Sequence, residues 1–517
     1  FNFDTRYFNR LFPGLKSYYR TGYMERQLVD YNISNLKANT ALHYRITQDI
    51  EARLAYNFGY GTTVYQGDNR YSLRGLQFHH LRAEIIKPEK FYLRAYATFE
   101  NAGQSYDAVF TAFKLQDQRM SNPDWASEYQ QAWSTYAARV RALPGYPDPN
   151  NPLFTDLWFN NYDSINNVAN QVLAQFNDSL TLWHSEARKL ADQNPVRGLS
   201  RLEPGTAEFD SLKNVITSRT AFEEGGTRFY DRSKMFHVQG EYKWDLKRKK
   251  AEKPWMDLLT GASFRLYLPD SRGTIFSDTM MRTFGTDANG NTIVTDSSRR
   301  RITNWQVGAY ISANKKFFND RLIITATLRM DKNQNFPVLF TPAASVVWSQ
   351  KNHTVRLSFS SAIRNPTLQD QYLYYNVGRA ILVGNLNGFD SLVTVSSLQQ
   401  AIGNDDPSRL QYFNAPAVRP EKARTLEIGY KGILFKNKVY LDGSAFVTFY
   451  QDFIGYRIGA NLYSIQNPWR FQVFRVATNS PDRIMSYGAA LGFSYFFINN
   501  YALTGNYTWN VLNRMGS

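Results

Sequence analysis

Cysteine is absent from the 517 residues, which excludes a disulfide framework, an iron–sulfur cluster and thiol catalysis. No run of 18 or more apolar residues occurs, so no transmembrane helix is available. There is no phosphate-binding glycine loop and no supported Ser/His/Asp constellation, and an enzymatic role is not expected. Metal ligation is equally poor in candidates. His79 and His80 have no carboxylate or cysteine at ligand spacing, and neighbours in a strand point to opposite faces. Asp287-Ala-Asn-Gly-Asn291 offers oxygen ligands, but no Glu follows at EF-hand spacing, and Asn-Gly is a hairpin turn signal. Neither metal nor cofactor is expected. Also missing before Phe1 are a start Met and a signal peptide, from which a longer native chain is expected.

What the chain has in excess is aromatic side chains, at 15%, with 34 Tyr and 36 Phe. Membrane barrels gather such residues into girdles at both interfaces. The mean hydropathy of -0.47 is compatible with a barrel, because only alternate residues face lipid. The net charge of +16 suits solvated turns, a basic lumen, or a surface against anionic lipid headgroups. Nucleic acid is not expected as a partner, since no basic face with a recognisable module is present. The short basic run Lys247-Arg-Lys-Lys250 lies between strands and reads as a solvated turn.

Period-2 alternation dominates the chain. Leu36, Ala38, Thr40, Leu42, Tyr44 and Ile46 share one face, against Lys37, Asn39, His43 and Arg45. Ala52, Leu54, Tyr56 and Phe58 oppose Glu51, Arg53 and Asn57. Phe264 and Leu266 oppose Ser263 and Arg265. Val307, Ala309, Ile311 and Ala313 oppose Gln306, Ser312 and Asn314. Near the end, Tyr487, Ala489, Leu491, Phe493 and Tyr495 oppose Ser486, Gly488, Gly492 and Ser494. Leu491, Phe493, Leu266 and Ile311 are expected to face lipid. Soluble sandwiches also alternate, but many of these runs exceed the roughly 9–11 residues that cross a bilayer.

Connections alternate short and long. Tight turns are predicted at Thr47–Asp49, Pro88–Lys90, Phe318–Asp320, Ser349–His353, Phe435–Lys438 and Ile498–Asn500. Longer loops are predicted at 67–74, 102–233, 269–301, 364–421 and 455–468. Short periplasmic turns and long extracellular loops are the outer-membrane pattern. The count is about fifteen strands, more than the small eight-stranded class. Within 102–233, Asn122-Pro123 followed by Asp124–Leu143 predicts a helix with proline at its start, and Ser164–Asp192 predicts one or two more.

Specific stretches then resemble a family. Val418-Arg-Pro-Glu-Lys-Ala-Arg-Thr-Leu-Glu-Ile-Gly-Tyr-Lys431 is similar to the P-E-K…E-I-G strand of TonB-dependent outer-membrane receptors. Phe340-Thr-Pro-Ala-Ala-Ser345 and Arg364-Asn-Pro-Thr367 resemble the F-T-P and F-R-N-P-T strands of that family. Gln66-Gly-Asp-Asn-Arg-Tyr71 and Ser105-Tyr-Asp-Ala108 resemble its Bacteroidota branch. The resemblance implies an all-β fold: a large antiparallel transmembrane β-barrel of the 22-stranded type, incomplete here, with a long, partly helical extracellular insertion. It implies residues 1–101 and 234–517 as barrel strands and 102–233 as the insertion. An N-terminal plug and the closing strands would lie outside this sequence. It also implies active import of a nutrient across the bacterial outer membrane, with the TonB complex as partner through the plug. Outer-membrane lipid, lipopolysaccharide and a surface lipoprotein lid or other outer-membrane subunit are further expected partners. A structural or docking barrel within a larger assembly is the alternative.

Ligand-contacting candidates come from the loops and the polar strand face. Tyr372, Tyr374, Tyr375 and Asn376 fall in a stretch rich in aromatics and amides, a pairing that suits sugars or peptides; a self-packed loop would give the same composition. Arg265, Arg329 and Arg356 are expected on the inward face with Arg45 and Arg53. There they could guide an anionic substrate or pair with a plug and with one another. The insertion, far longer than ordinary connections, reads either as a lid or docking surface or as a shield.

Overall fold

A computed structural model describes residues 11–15, 19–193, 200–247, 255–286, 292–404, 406–463, 470–498 and 501–515, with backbone only at 280–286, 292–297, 498 and 515. Fourteen strands follow one another in a single antiparallel sheet, from Ser34–Arg45 to Tyr501–Met515, and a two-residue strand, Tyr106–Asp107, joins at one side. Each strand pairs with the next long strand of the chain, the meander that alternating runs and tight turns favour. The main strands run from 11 residues in Phe91–Asn101 to 18 in Arg70–Lys87, enough to cross a bilayer. Ser34–Arg45 and Tyr501–Met515 stand at the two ends of the order, so the described strands form an arc of wall.

Register aligns the apolar residues into a continuous band. Leu54 lies opposite Leu42 and Ala83, and Ile428 opposite Leu357 and Ala445. Leu491 lies opposite Gly443 and Tyr507. Leu491, Phe493 and Ile311 are exposed on this face, and Leu266 is half-buried on it. Exposed apolar residues across so many strands need lipid as solvent.

The other face is polar and internally paired. The Glu84 carboxylate is buried between Arg82 and Arg94. Hydroxyl pairs cross the strands at Ser312–Thr327 (2.7 Å) and Thr425–Thr448 (2.8 Å). Tyr310 lies over Gly261, where a Cβ would come within 2.4 Å of its ring, and its hydroxyl donates to Glu241. Only glycine admits that ring.

Connections at one end are tight. Phe318, Asn319 and Asp320 all have positive φ, as do Phe435, Lys436 and Asn437. At the other end stands a roof. Among the described residues between 102 and 233 six helices follow: Ala108–Asp117, Asn122–Arg141, Pro152–Asn160, Tyr162–Gln175, Asn177–Gln193 and Ala207–Ser218. The predicted start at Asn122-Pro123 is in place, with Ser121 as the cap. Trp125, Tyr129, Trp133, Val140 and Trp158 form its core, which Leu15 completes.

Residues 11–15 and 19–33 precede the first strand and belong to this roof. Trp133 Nε1 donates to the Pro13 carbonyl at 3.0 Å. The Arg20 guanidinium donates to the carbonyls of Gln116 and Met120, each at 2.9 Å. Gln116 lies in the last turn of the helix Ala108–Asp117 and Met120 just beyond it, so the cation sits at the negative end of that helix.

The regions predicted as longer loops at 364–421 and 455–468 join Phe471–Asn479 in a second, six-stranded sheet among the described residues. Its strands include Tyr374–Asn376, Ile381–Val383, Phe389–Thr394, Ile454–Leu462 and Phe471–Asn479. Several are only three to six residues long, too short for alternation to register. The 269–301 connection likewise holds a hairpin, Met280–Thr286 with Thr292–Arg299. Asp287–Asn291 and most of the Lys247–Lys250 run lie outside the described residues.

Candidate functional site

Three long connections meet beneath the roof and enclose a pocket of about 290 Å³. Asp107 caps the first roof helix, Phe110 lies in its first turn and Lys114 in its last, and Phe222 and Phe229 come from the end of the insertion. Thr274 and the trio Tyr374, Tyr375 and Asn376 come from two further loops.

Asp107 organises the pocket. One carboxylate oxygen accepts from the Phe110 amide at 2.9 Å and caps the helix. The other accepts from the Tyr375 hydroxyl at 2.7 Å and from Asn69 Nδ2 at 2.8 Å. A buried carboxylate requires such donors. Burial, together with the Asp107 charge, drives the Tyr375 phenol far above its ordinary value, so it stays a donor. The ring is wedged between Tyr71 at 6.3 Å and Phe229 at 6.0 Å. Tyr375 thus fixes the wall, while Tyr374 and Asn376 present more exposed surface. Aromatic faces beside an amide, an ammonium and a hydroxyl suit a small ligand with one flat apolar side and a polar edge.

The other expected residues are elsewhere. Tyr372 is buried with Phe276 and Ile302, and its hydroxyl accepts from Asn335 Nδ2 at 2.6 Å; it does not line the pocket. Asn385, from the same amide-rich stretch, donates to the carbonyls of Pro416 and Ala477 and holds the small sheet together. Arg265, Arg329 and Arg356 lie on the polar face of the wall. Arg329 pairs with Asp331 at 2.7 Å and Arg356 with Glu427. Arg265 donates instead to neutral partners, His237 Nδ1 at 2.9 Å and the Tyr267 hydroxyl at 3.1 Å. Arg53 pairs with Glu51 at 2.9 Å.

His79 and His80 bond different partners, Tyr56 and Asn57. Among the described residues no group of three or more His, Cys, Asp or Glu is placed to hold a metal ion. Sequence reasoning did not single out Phe110, Lys114, Phe222 or Phe229 for the pocket. Their signal is tertiary, since Phe110 and Phe222 are more than 100 residues apart in the chain. Only Asp107 had a trace, inside the Ser105–Ala108 motif.

A wall of long antiparallel strands with a continuous apolar band, tight turns at one end and a folded roof at the other, is that of a bacterial outer-membrane β-barrel receptor. The family described as TonB dependent receptor-like, beta-barrel, matches residues 121–516, and the chain belongs to that family. Among solved structures it is similar to a ferric enterobactin receptor from Pseudomonas aeruginosa, at 12% identity and TM-score 0.50, covering 96% of this chain and 55% of that one. The siderophore receptor PirA from Pseudomonas aeruginosa is similar at 10% identity and TM-score 0.49, covering 93% and 57%. The FrpB iron transporter from Neisseria meningitidis is similar at 11% identity and TM-score 0.45, covering 93% and 53%. The chain thus spans little more than half the length of the solved structures it matches. No curated protein matches the sequence.

Proposed function

We propose that this chain is the wall and outer vestibule of a TonB-dependent importer that captures a nutrient at the roof. The observation that carries the reading is the pocket held by Asp107 and Tyr375, built from loops that only the barrel brings together. Family membership supplies the transport context. Tyr374, Asn376 and Lys114 make the first contacts, and Tyr375 holds their wall in place. The paired arginines of the polar face, Arg329 and Arg356, line the route onward, together with Arg265 on its neutral partners. Coupling to TonB runs through a plug.

Deleting the gene should abolish uptake of the nutrient on which growth depends. Tyr374→Ala with Asn376→Ala should lower surface binding of that nutrient at least tenfold while the barrel stays folded. Unchanged binding would remove the pocket from the account.

A docking or structural role is the second reading, and one feature favours it. The helix Pro152–Asn160 exposes Leu153 at 78% and Phe159 at 61%, an apolar surface suited to another outer-membrane subunit such as a lipoprotein lid. Loss of a co-purifying subunit on Leu153→Asp, with uptake intact, would favour this reading.

A further inference from the structure

The apolar face of the wall is not uniform. Between the strands Phe91–Asn101 and Asn304–Phe317 it sinks into a hollow of about 870 Å³. Gly240 lies opposite Ala262, and Ala262 opposite Ala309, so three neighbouring strands carry little beyond backbone in one row. Leu93, Phe264 and Val307 rise around the row. A hollow on a lipid-facing surface is filled by something apolar, because an empty one forfeits contact on every side.

Toward the tight-turn end the hollow stops at Tyr242. Its ring lies parallel to Phe91, centroids 6.3 Å apart, and Trp244 packs against it at 4.5 Å. Cations stand just beyond. The Lys90 ammonium is 5.1 Å from the Tyr242 ring and 3.2 Å from the Asp245 carboxylate. Lys315 shares the apolar face with Val307 and Ile311. Its ammonium lies 4.5 Å from the Trp255 ring and 4.9 Å from Phe317. Among the described residues no carboxylate is within ion-pair distance of it. An ammonium turned toward lipid and cupped by rings, with no carboxylate beside it among the described residues, suits an anion from the membrane. Lys315 is four residues beyond the Ile311 row, about 13 Å along the strand. A lipid whose phosphate sits there lays its chain beside the hollow.

We propose that this corner binds a glycerophospholipid with an anionic headgroup, drawn from the leaflet on the tight-turn side. One acyl chain occupies the hollow over Gly240 and Ala262. The phosphate takes the Lys315 ammonium, with the Trp255 ring at glycerol depth. Lipopolysaccharide does not fit, because its phosphates gather at the long-loop end of such a wall.

The test uses the full-length protein, purified and checked for a folded barrel by heat-modifiable gel mobility. It is offered equal phosphatidylglycerol and phosphatidylcholine of the same chain length, and retained lipid is read by native mass spectrometry. Wild type should retain phosphatidylglycerol in preference. Lys315→Gln should lower that retention about fivefold, the effect of one lysine at an anionic lipid surface. Ala262→Phe, which fills the hollow, should lower retention of both lipids. Lys431→Gln, a polar-face lysine paired with Asp442 at 3.0 Å, should change neither. Equal retention of the two lipids by wild type, or full phosphatidylglycerol retention by Lys315→Gln, overturns the proposal.

Discussion

The wall and the roof are held together by different physics. In the wall, backbone ladders join each strand to the next, and side chains divide between an apolar face and a polar, internally paired one. Its apolar residues are exposed, as Leu491 at 47% shows, and lipid completes it. The roof is an aqueous fold with a closed core. Trp133 and Tyr129 are fully buried there, and their polar atoms find partners within it, including the His184 ring at 2.7 Å from Tyr129. Two solvents thus act on one chain. A lesion in one region should therefore leave the other standing.

Trp133→Ala should show the separation most strongly. It removes a fully buried indole and its bond to Pro13, at a cost of about 3–5 kcal/mol. The roof should become open to protease added to intact cells, while heat-modifiable mobility of the barrel is retained. Loss of both together would mean the two regions fold as one.

Next in size is Leu491→Arg, a charge on the apolar face, which should cost about 2–4 kcal/mol at mid-membrane. Ser494→Arg, on the polar face of the same strand, should cost much less. Equal losses of folded barrel on a gel-shift assay would refute the assigned register. Roof proteolysis should be unaltered in whatever fraction does fold.

Smaller still is the seam between the regions. Tyr375→Phe removes one hydrogen bond to Asp107, worth about 1.5–3 kcal/mol because the acceptor is charged. It should loosen the pocket without releasing the roof. A double-mutant cycle with Asp107→Asn should show coupling between the two, and strict additivity would mean that the bond carries no energy.

The finest contrast is in pH. Burial lowers the His184 pKa below its ordinary value of 6.5, so the folded roof disfavours the charged ring. A histidine depressed in this way contributes stability above its unfolded value, and that contribution is lost as pH falls below about 6.5. Protease resistance of the roof should fall between neutral pH and pH 5, with a shallower fall in His184→Gln. The wall, read by gel mobility, should not respond over that interval. Identical pH profiles for the two proteins would remove His184 from the explanation.

Legibility followed the same division. Alternation over a dozen residues, as in Leu36–Ile46 or Met485–Phe497, gives the wall's faces directly, because one period governs the whole strand. Tight turns at Phe318–Asp320 and Phe435–Lys438 were readable from the breaks in that period. The helix after Ser121 was readable from its cap and proline. The small sheet was not, because Tyr374–Asn376 and its partner Ile381–Val383 are only three residues each, and Ile381–Val383 is fixed in turn by Phe471–Asn479, nearly a hundred residues away. The amide-rich loop was ambiguous for a physical reason. Asn385 and Tyr372 are polar in order to satisfy a buried interior, whereas Asn376 and Tyr374, of like composition, face the pocket. Only the fold separates the two uses.

Energy coupling is the most direct test of the importer itself. Cells carrying the wild-type protein are given the nutrient that the deletion strain cannot take up, and its uptake is measured with the inner-membrane proton gradient intact, with the gradient collapsed, and with TonB deleted. The account predicts surface binding in all three cases and accumulation only in the first. Accumulation that continues unchanged without the gradient or without TonB would make this wall a passive channel or a structural barrel, and the importer would fall while the fold stood.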